Sequence, residues 1–208
     1  MVAPFRARHR VRAAAVLAAV ATVTLLASCS AEPAPSPSPS QTQSHSETPS
    51  ASTQPTPSST PTATPTPVTL TCDQVITPQQ LYTYNSNVGA NPSYTATEGS
   101  LEARAVAAKG VACGWLNQSS NETMQFAVAK PTPALLNERA DAAVTSSTPV
   151  PTYGAPPSVE GYFSVAGNKG EVQVFTNGYW IVGTSSWFLE PGDAATLVAN
   201  IIANLPKS

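Results

Sequence analysis

The stretch EVQVFTNGYWIVGTS, residues 171–185, decides the fold because it predicts a β-hairpin. Two runs rich in β-branched and aromatic residues flank Asn177-Gly178, and both residues of that pair readily take positive φ. A two-residue turn fixes the register of the strands, so Phe175 lies opposite Trp180. The hairpin therefore predicts an antiparallel sheet.

Both faces of this hairpin are apolar. By alternation, one face carries Val172, Val174 and Ile181, and the other carries Phe175, Trp180 and Val182. Two arrangements stay open: helices or loops cover both faces, or the aromatic face is exposed and binds a ligand.

Helix caps and alternating runs predict the remaining elements of the domain. Helices are expected from Thr77-Pro78, over 101–109 after Ser100, from Thr132-Pro133 to about 145, and over 194–205. Strands are expected over 111–116, 123–129 and 161–166. The order ααββαβββα predicts an α+β domain, with an antiparallel sheet of about five strands and helices packed mainly on one side.

The N-terminus has the layout of a secretory signal peptide, residues 1–28. The chain opens with four arginines, the last of which is Arg12. An otherwise mostly apolar run over 11–26 follows this basic start, and it ends at Leu26-Ala-Ser-Cys29. That ending resembles the bacterial lipobox, which implies that Cys29 becomes the lipidated first residue of the mature protein. The alternatives are a plain signal peptide with a chance cysteine, or a membrane span, for which the run is short.

Residues 29–67 are predicted to be the lipidated cysteine and a disordered tether. Pro, Ser, Thr, Ala and Gln dominate from residue 30, and ten of the chain's 21 prolines lie there. An unmodified linker and an O-glycosylated stalk both fit this composition. Residues 68–208 are then left for a single α+β domain.

The charge balance excludes nucleic acid as a partner. The chain has ten Lys and Arg against twelve Asp and Glu, and four of the basic residues belong to the signal peptide. The mature chain therefore carries a net charge of −6, whereas phosphate binding needs clustered Lys and Arg. Membrane attachment is assigned to the lipid on Cys29.

Two cysteines remain for the folded domain. Cys72 and Cys113 predict a disulfide in an exported protein. Two free thiols and a metal site are the less favoured alternatives. Alternation places Cys113 and Trp115 on one side of their strand, which predicts a disulfide packed beside a tryptophan.

The domain offers few catalytic residues. The full chain has two histidines, His9 and His45, and both lie outside residues 68–208, so the domain has no histidine to act as a base. No Ser-x-x-Lys spacing occurs in the domain either. The carboxylates considered for glycoside hydrolysis are scattered along the chain: Asp73, Glu98, Glu102, Glu138, Asp141, Glu160, Glu171, Glu190 and Asp193. The sequence predicts no catalytic residue, no cofactor and no metal, so the chain is not expected to be an enzyme.

Aromatic side chains supply the candidate binding residues. Most must belong to the core, but Tyr153 in a proline-rich loop, Trp180 on the hairpin, and Trp187 and Phe188 before Pro191 are the candidates for ligand binding.

The lipobox, the tether, Cys72, and Cys113-Gly-Trp115 together resemble small secreted lipoproteins of actinobacteria whose function is unknown. The resemblance implies a lipid-anchored protein on the outer face of the cell membrane. Its expected function is non-catalytic binding or sensing, with an envelope protein or a wall glycan as the partner. The alternatives are a histidine-free cell-wall hydrolase and a purely structural surface protein.

Overall fold

A computed structural model describes residues 63–207 of the 208-residue chain. The predicted signal peptide, the proposed lipidation residue Cys29 and most of the predicted tether lie outside the described residues. The predictions made for them therefore stay predictions.

The described residues build one antiparallel sheet of seven strands, in the order β1-β2-β3-β7-β6-β5-β4. The strands are β1 Val88–Ala90, β2 Val111–Asn117, β3 Thr123–Ala129, β4 Thr148–Pro149, β5 Val159–Ala166, β6 Lys169–Thr176 and β7 Tyr179–Ser185. The predicted hairpin is confirmed as β6 and β7, which lie at the centre of the sheet with Phe175 opposite Trp180. Both turn residues have positive φ, 49° at Asn177 and 77° at Gly178.

Five α-helices accompany the sheet in the part of the chain that the structure describes. They are α1 Cys72–Val75, α2 Pro78–Tyr84, α3 Leu101–Ala107, α4 Pro133–Ser146 and α5 Pro191–Asn204. The side chains of Thr77, Ser100 and Thr132 cap α2, α3 and α4 by accepting backbone hydrogen bonds, as the sequence predicts. No helix in residues 63–207 combines the length and the apolar character that membrane crossing demands.

The helices cover both faces of the sheet, so the prediction that they pack mainly on one side is wrong. On the disulfide face, which carries Trp115, Val174 and Ile181, a large core includes residues of α1, α2 and α5. On the Trp180 face, which carries Trp180, Phe175 and Val182, a smaller core includes Ala105 of α3 and Ala143 of α4. The physical reason is that the central strands are apolar on both sides and each side must be buried.

The class α+β is confirmed, but the predicted count of about five strands and the order ααββαβββα are wrong in detail. The structure adds the short strands β1 and β4 and the one-turn helix α1. Strand β1 has three residues and pairs with β2, and β4 has two residues and pairs with β5. Strands of two or three residues are too short to show the alternation of apolar and polar residues by which a strand is recognised in a sequence.

The predicted disulfide is confirmed: Cys72 and Cys113 are bonded, with 5.5 Å between their Cα atoms. It joins the start of α1 to the middle of β2. Trp115 lies on the same face as Cys113 and is buried in the same core, with its ring edge-on to Phe126. The sheet is therefore linked covalently to the N-terminal end of the domain.

Candidate functional site

The four aromatic candidates do not form one exposed surface. Tyr153, Trp180 and Phe188 are buried, with exposed fractions of 5%, 0% and 1%. Phe188 and Tyr153 belong to the core of the disulfide face, and Trp180 belongs to the core of the opposite face. These three candidates therefore lie in the two cores of the domain and not on its surface.

Each buried ring has a structural partner. Tyr153 donates a hydrogen bond of 2.8 Å from its hydroxyl to the carbonyl of Pro191 at the start of α5. Trp180 donates from Nε1 to Oε1 of Gln173 at 3.2 Å, and the guanidinium of Arg139 lies 5.8 Å from its ring centre. These contacts account for the rings as core residues.

Trp187 is the one candidate of the four that is half-exposed. Its Nε1 donates a hydrogen bond of 2.8 Å to the carboxylate of Glu122, in the turn between β2 and β3. This bond, with further ones from Ser120 and Ser186, lowers the pKa of Glu122. Trp187 thus links two loops at one end of the sheet.

A polar row at that same end interrupts the apolar Trp180 face. Strand pairing places Ser164, Glu171, Thr184 and Gln125 side by side across β5, β6, β7 and β3. The apolar core of this face begins one row further along, where Gln173 pairs with Val182. The row forms the floor of a cleft.

Glu102 of α3 covers this floor with a buried carboxylate. Ser100 caps α3, which places Glu102 in the first turn, where a carboxylate interacts favourably with the helix dipole. The residue is only 3% exposed, and its Oε1 accepts a hydrogen bond of 2.6 Å from the hydroxyl of Thr184. No residue of the described part donates a hydrogen bond to its Oε2, and no cationic side chain there lies within 4 Å.

Tyr94 closes one side of the cleft. Its side chain packs directly on Gly114 of β2, where an added Cβ would lie 2.4 Å from the Cβ of Tyr94. Burial, together with the nearby charge of Glu102, raises the pKa of Tyr94 to about 12. The phenol therefore stays neutral at any physiological pH and is available as a hydrogen-bond donor.

The resulting Glu102 cleft has a volume of about 220 Å³. Its lining is polar: Tyr94, Thr97, Ser100, Glu102, Gln125, Lys169, Glu171 and Thr184. It combines two carboxylates, one ammonium group, hydroxyls and one amide, and this set recognises charged or hydrogen-bonding groups.

Three larger clefts are weaker candidates for a binding site, and the smallest of them, of about 310 Å³, is lined mainly by the proline-rich loop over 149–156. The other two are larger still. One of about 460 Å³ lies between α4 and the β6–β7 turn, and the side chain of Glu160 that lines it is hydrogen-bonded to Tyr162. Another of about 430 Å³ is lined by small side chains of α3 and β2 and by Tyr94. Neither contains a buried charged group. Within residues 63–207, no group of three or more His, Cys, Asp or Glu side chains is placed to hold a metal ion.

The sequence does not reveal the Glu102 cleft, because the residues that line it come from distant segments of the chain. Glu102 and Glu171 were considered only as isolated carboxylates. One signal was present: Glu102 is three residues before the buried Ala105, so the two residues lie on the same side of the helix. A charged residue on the buried face of a helix needs a polar partner or a ligand, so such a residue is a candidate for a functional site.

Comparison of the chain with protein-family models, with curated proteins and with solved structures gives no match.

Proposed function

We propose that this protein is a lipid-anchored extracytoplasmic domain that binds a small polar ligand in the Glu102 cleft without chemically changing it. The observation that carries the binding proposal is the buried carboxylate of Glu102, which has one oxygen open to a polar cleft. The second oxygen has no hydrogen-bond donor among residues 63–207 and is not enclosed by protein, so a ligand in the cleft can donate to it in place of solvent.

The proposed location rests on the signal-peptide layout, on Cys29 and on the disulfide. Disulfides form and persist in exported proteins, and Cys72–Cys113 is of the structural kind, buried beside Trp115. The acidic mature chain has no basic cluster for anionic lipid, so the proposal gives membrane attachment to the lipid on Cys29.

Binding is favoured over glycoside hydrolysis by the size of the cleft. Cleavage of a glycosidic bond needs room for a sugar on each side of that bond, and binding pockets for drug-sized ligands measure about 300–1,000 Å³. The Glu102 cleft, at about 220 Å³, is smaller than that range. It suits a ligand of a few non-hydrogen atoms.

One observation nevertheless favours a histidine-free hydrolase as the second candidate. Glu102 and Glu171 line the same cleft, and paired carboxylates are the groups that glycosidases use. This candidate predicts turnover of wall muropeptides that is lost in Glu102→Gln. We expect no turnover by the wild-type protein, and chromatography of the reaction products checks this.

The lipid anchor is tested by metabolic labelling with a fatty acid analogue. We expect label on the wild-type protein and none on Cys29→Ser. Cys113→Ser, which keeps Cys29, serves as the matched control and should still be labelled. An unlabelled wild-type protein found free in the culture fluid would refute the proposed anchor.

Binding is tested with the full-length protein purified in detergent. Soluble wall fragments, amino acids and amino sugars are screened by ligand-observed NMR, with Glu102→Gln beside the wild type. We expect at least one ligand that binds the wild type and not the variant. If no ligand in the screen distinguishes the two proteins, the cleft is not the binding site.

A further inference from the structure

The Glu102 cleft has two poles of opposite charge. Glu102 lies on its roof, Glu171 lies on its floor next to Thr184, and Lys169 is exposed at its rim. Lys169 and Glu171 are two residues apart on the same side of β6, so their Cα atoms are separated by about 7 Å. No ion pair within 4 Å joins these three side chains among the described residues.

We infer that the cleft binds a small zwitterion, an amino acid about the size of alanine, with its ammonium group at Glu102 and Glu171 and its carboxylate at Lys169. This inference rests on the proposed function and names the ligand class for the same site.

The acidic pole suits an ammonium group. An ammonium group carries three N–H donors and no acceptor, and it would meet the open Oε2 of Glu102 and the carboxylate of Glu171. Thr184 already donates to Glu102 Oε1, so that carboxylate is held in place before the ligand arrives. A bound cation would also neutralise a carboxylate that is 3% exposed and has no cationic partner within 4 Å in residues 63–207.

The basic pole selects against a simple amine. Lys169 lines the same cleft as the two carboxylates and contributes a positive charge at its mouth. A ligand with only a cationic group would be repelled by that charge, whereas a carboxylate two bonds away from the ammonium would be attracted by it.

The volume limits the size of the ligand. The cleft measures about 220 Å³, which is below the range of about 300–1,000 Å³ typical of pockets for drug-sized ligands. Alanine has six non-hydrogen atoms, and a disaccharide is far too large. The neutral phenol of Tyr94 and the amide of Gln125 add hydrogen bonds at the sides of the cleft.

The test uses three small compounds: alanine, which has both charges, ethylamine, which has only the cation, and propionate, which has only the anion. Binding to the full-length protein in detergent is measured by isothermal titration calorimetry. We expect alanine to bind, ethylamine to bind at least tenfold more weakly, and propionate not to bind.

Two variants separate the poles. Glu102→Gln keeps an oxygen that accepts from Thr184 and should weaken alanine binding at least tenfold. Lys169→Met should weaken alanine binding by a similar factor but not ethylamine binding. Glu98→Gln and Lys207→Met remove the same charges from exposed positions outside the cleft, and they should bind alanine as the wild type does.

Three outcomes would overturn the inference. They are the absence of alanine binding, equal binding by wild type and Glu102→Gln, and ethylamine binding as tight as that of alanine. A failure here is distinguishable from a failure of the proposed function. If another wall fragment binds the wild type and not Glu102→Gln, the cleft remains a binding site and only the zwitterion is wrong.

Discussion

The hydroxyl of Thr184 in β7 lies 2.6 Å from Oε1 of Glu102 in α3, and this bond links the helix to the sheet beneath it. It also fixes one oxygen of a carboxylate that lines the cleft, and it leaves the second oxygen without a donor among residues 63–207. A hydrogen bond to a charged group contributes more than one between neutral groups, about 1.5–3 kcal/mol.

Replacing Thr184 with valine tests this bond. Thr184→Val keeps the shape and removes the donor, so Glu102 loses its hydrogen bond while it stays buried. We expect a loss of about 2 kcal/mol in the free energy of unfolding, measured by urea denaturation. The exposed Thr69→Val is the control and should change stability little. Equal effects of the two substitutions would contradict the proposed importance of the bond.

Gly114 is required for the position of Tyr94. In Gly114→Ala the new Cβ would lie 2.4 Å from the Cβ of Tyr94, so the tyrosine must move. We expect a loss of about 1–3 kcal/mol from this overpacking, together with weaker ligand binding by the cleft. Gly192→Ala in α5 is the matched control, because its nearest atom is 3.7 Å away, and we expect it to be neutral or stabilising. Calorimetric melting of both variants checks the contrast.

Trp180 and Trp187, both candidates for ligand binding, should differ in how much their replacement destabilises the domain. Trp180 is fully buried, so Trp180→Ala should lower the free energy of unfolding by about 3–5 kcal/mol. Trp187 is half-exposed, and Trp187→Ala should cost far less. Its removal should also raise the pKa of Glu122, because its hydrogen bond is the largest cause of the lowered value. Denaturation curves and carboxyl NMR titrations measure the two effects.

Loss of the disulfide should be costly. The bond joins residues 41 positions apart, and the chain-entropy argument gives about 4 kcal/mol for a loop of this length. The double variant Cys72→Ala with Cys113→Ala should unfold at correspondingly lower urea concentration. Mass spectrometry provides the covalent check, since reduction of the wild type must add two hydrogen atoms. An unchanged mass would show that no disulfide was present.

Alkaline pH should destabilise the domain through Tyr94. Its pKa is raised to about 12 in the folded state from the ordinary value of 10.0, so the folded protein keeps a proton that the unfolded chain loses. The stabilising contribution is complete below pH 10 and is lost as the pH rises towards 12. Tyr94→Phe should show a shallower decline of stability over that interval. Identical slopes for the two proteins would contradict this assignment.

The local parts of the fold could be predicted from the sequence. Asn177-Gly178 determines the register of β6 and β7, and that register already places Glu171 beside Thr184. The short strands β1 and β4 could not be predicted, because two or three residues show no alternation and their pairing depends on β2 and β5 already being in place.

The cleft depends on long-range packing that the sequence does not display. Glu102 reaches Thr184, 82 residues further along the chain, only because α3 packs on β3 and β7. The error about the helices has a related cause. Apolar residues on both faces of the hairpin left two arrangements open, coverage of both faces or an exposed aromatic face, and they did not indicate which helix would pack on which face.

The disulfide also determines how the domain would respond to mechanical force. Two backbone hydrogen bonds, from Thr66 to Lys130 and from Val68 to Lys109, fasten the segment that precedes Cys72. Tension applied from the N-terminal side would break these two hydrogen bonds first. It would then pass through the Cys72–Cys113 disulfide into β2. Residues 73–112, which contain Tyr94 and Glu102, would therefore carry no load. A domain pulled from its N-terminal side would therefore keep Tyr94 and α3 in place while the segment 66–71 is stretched.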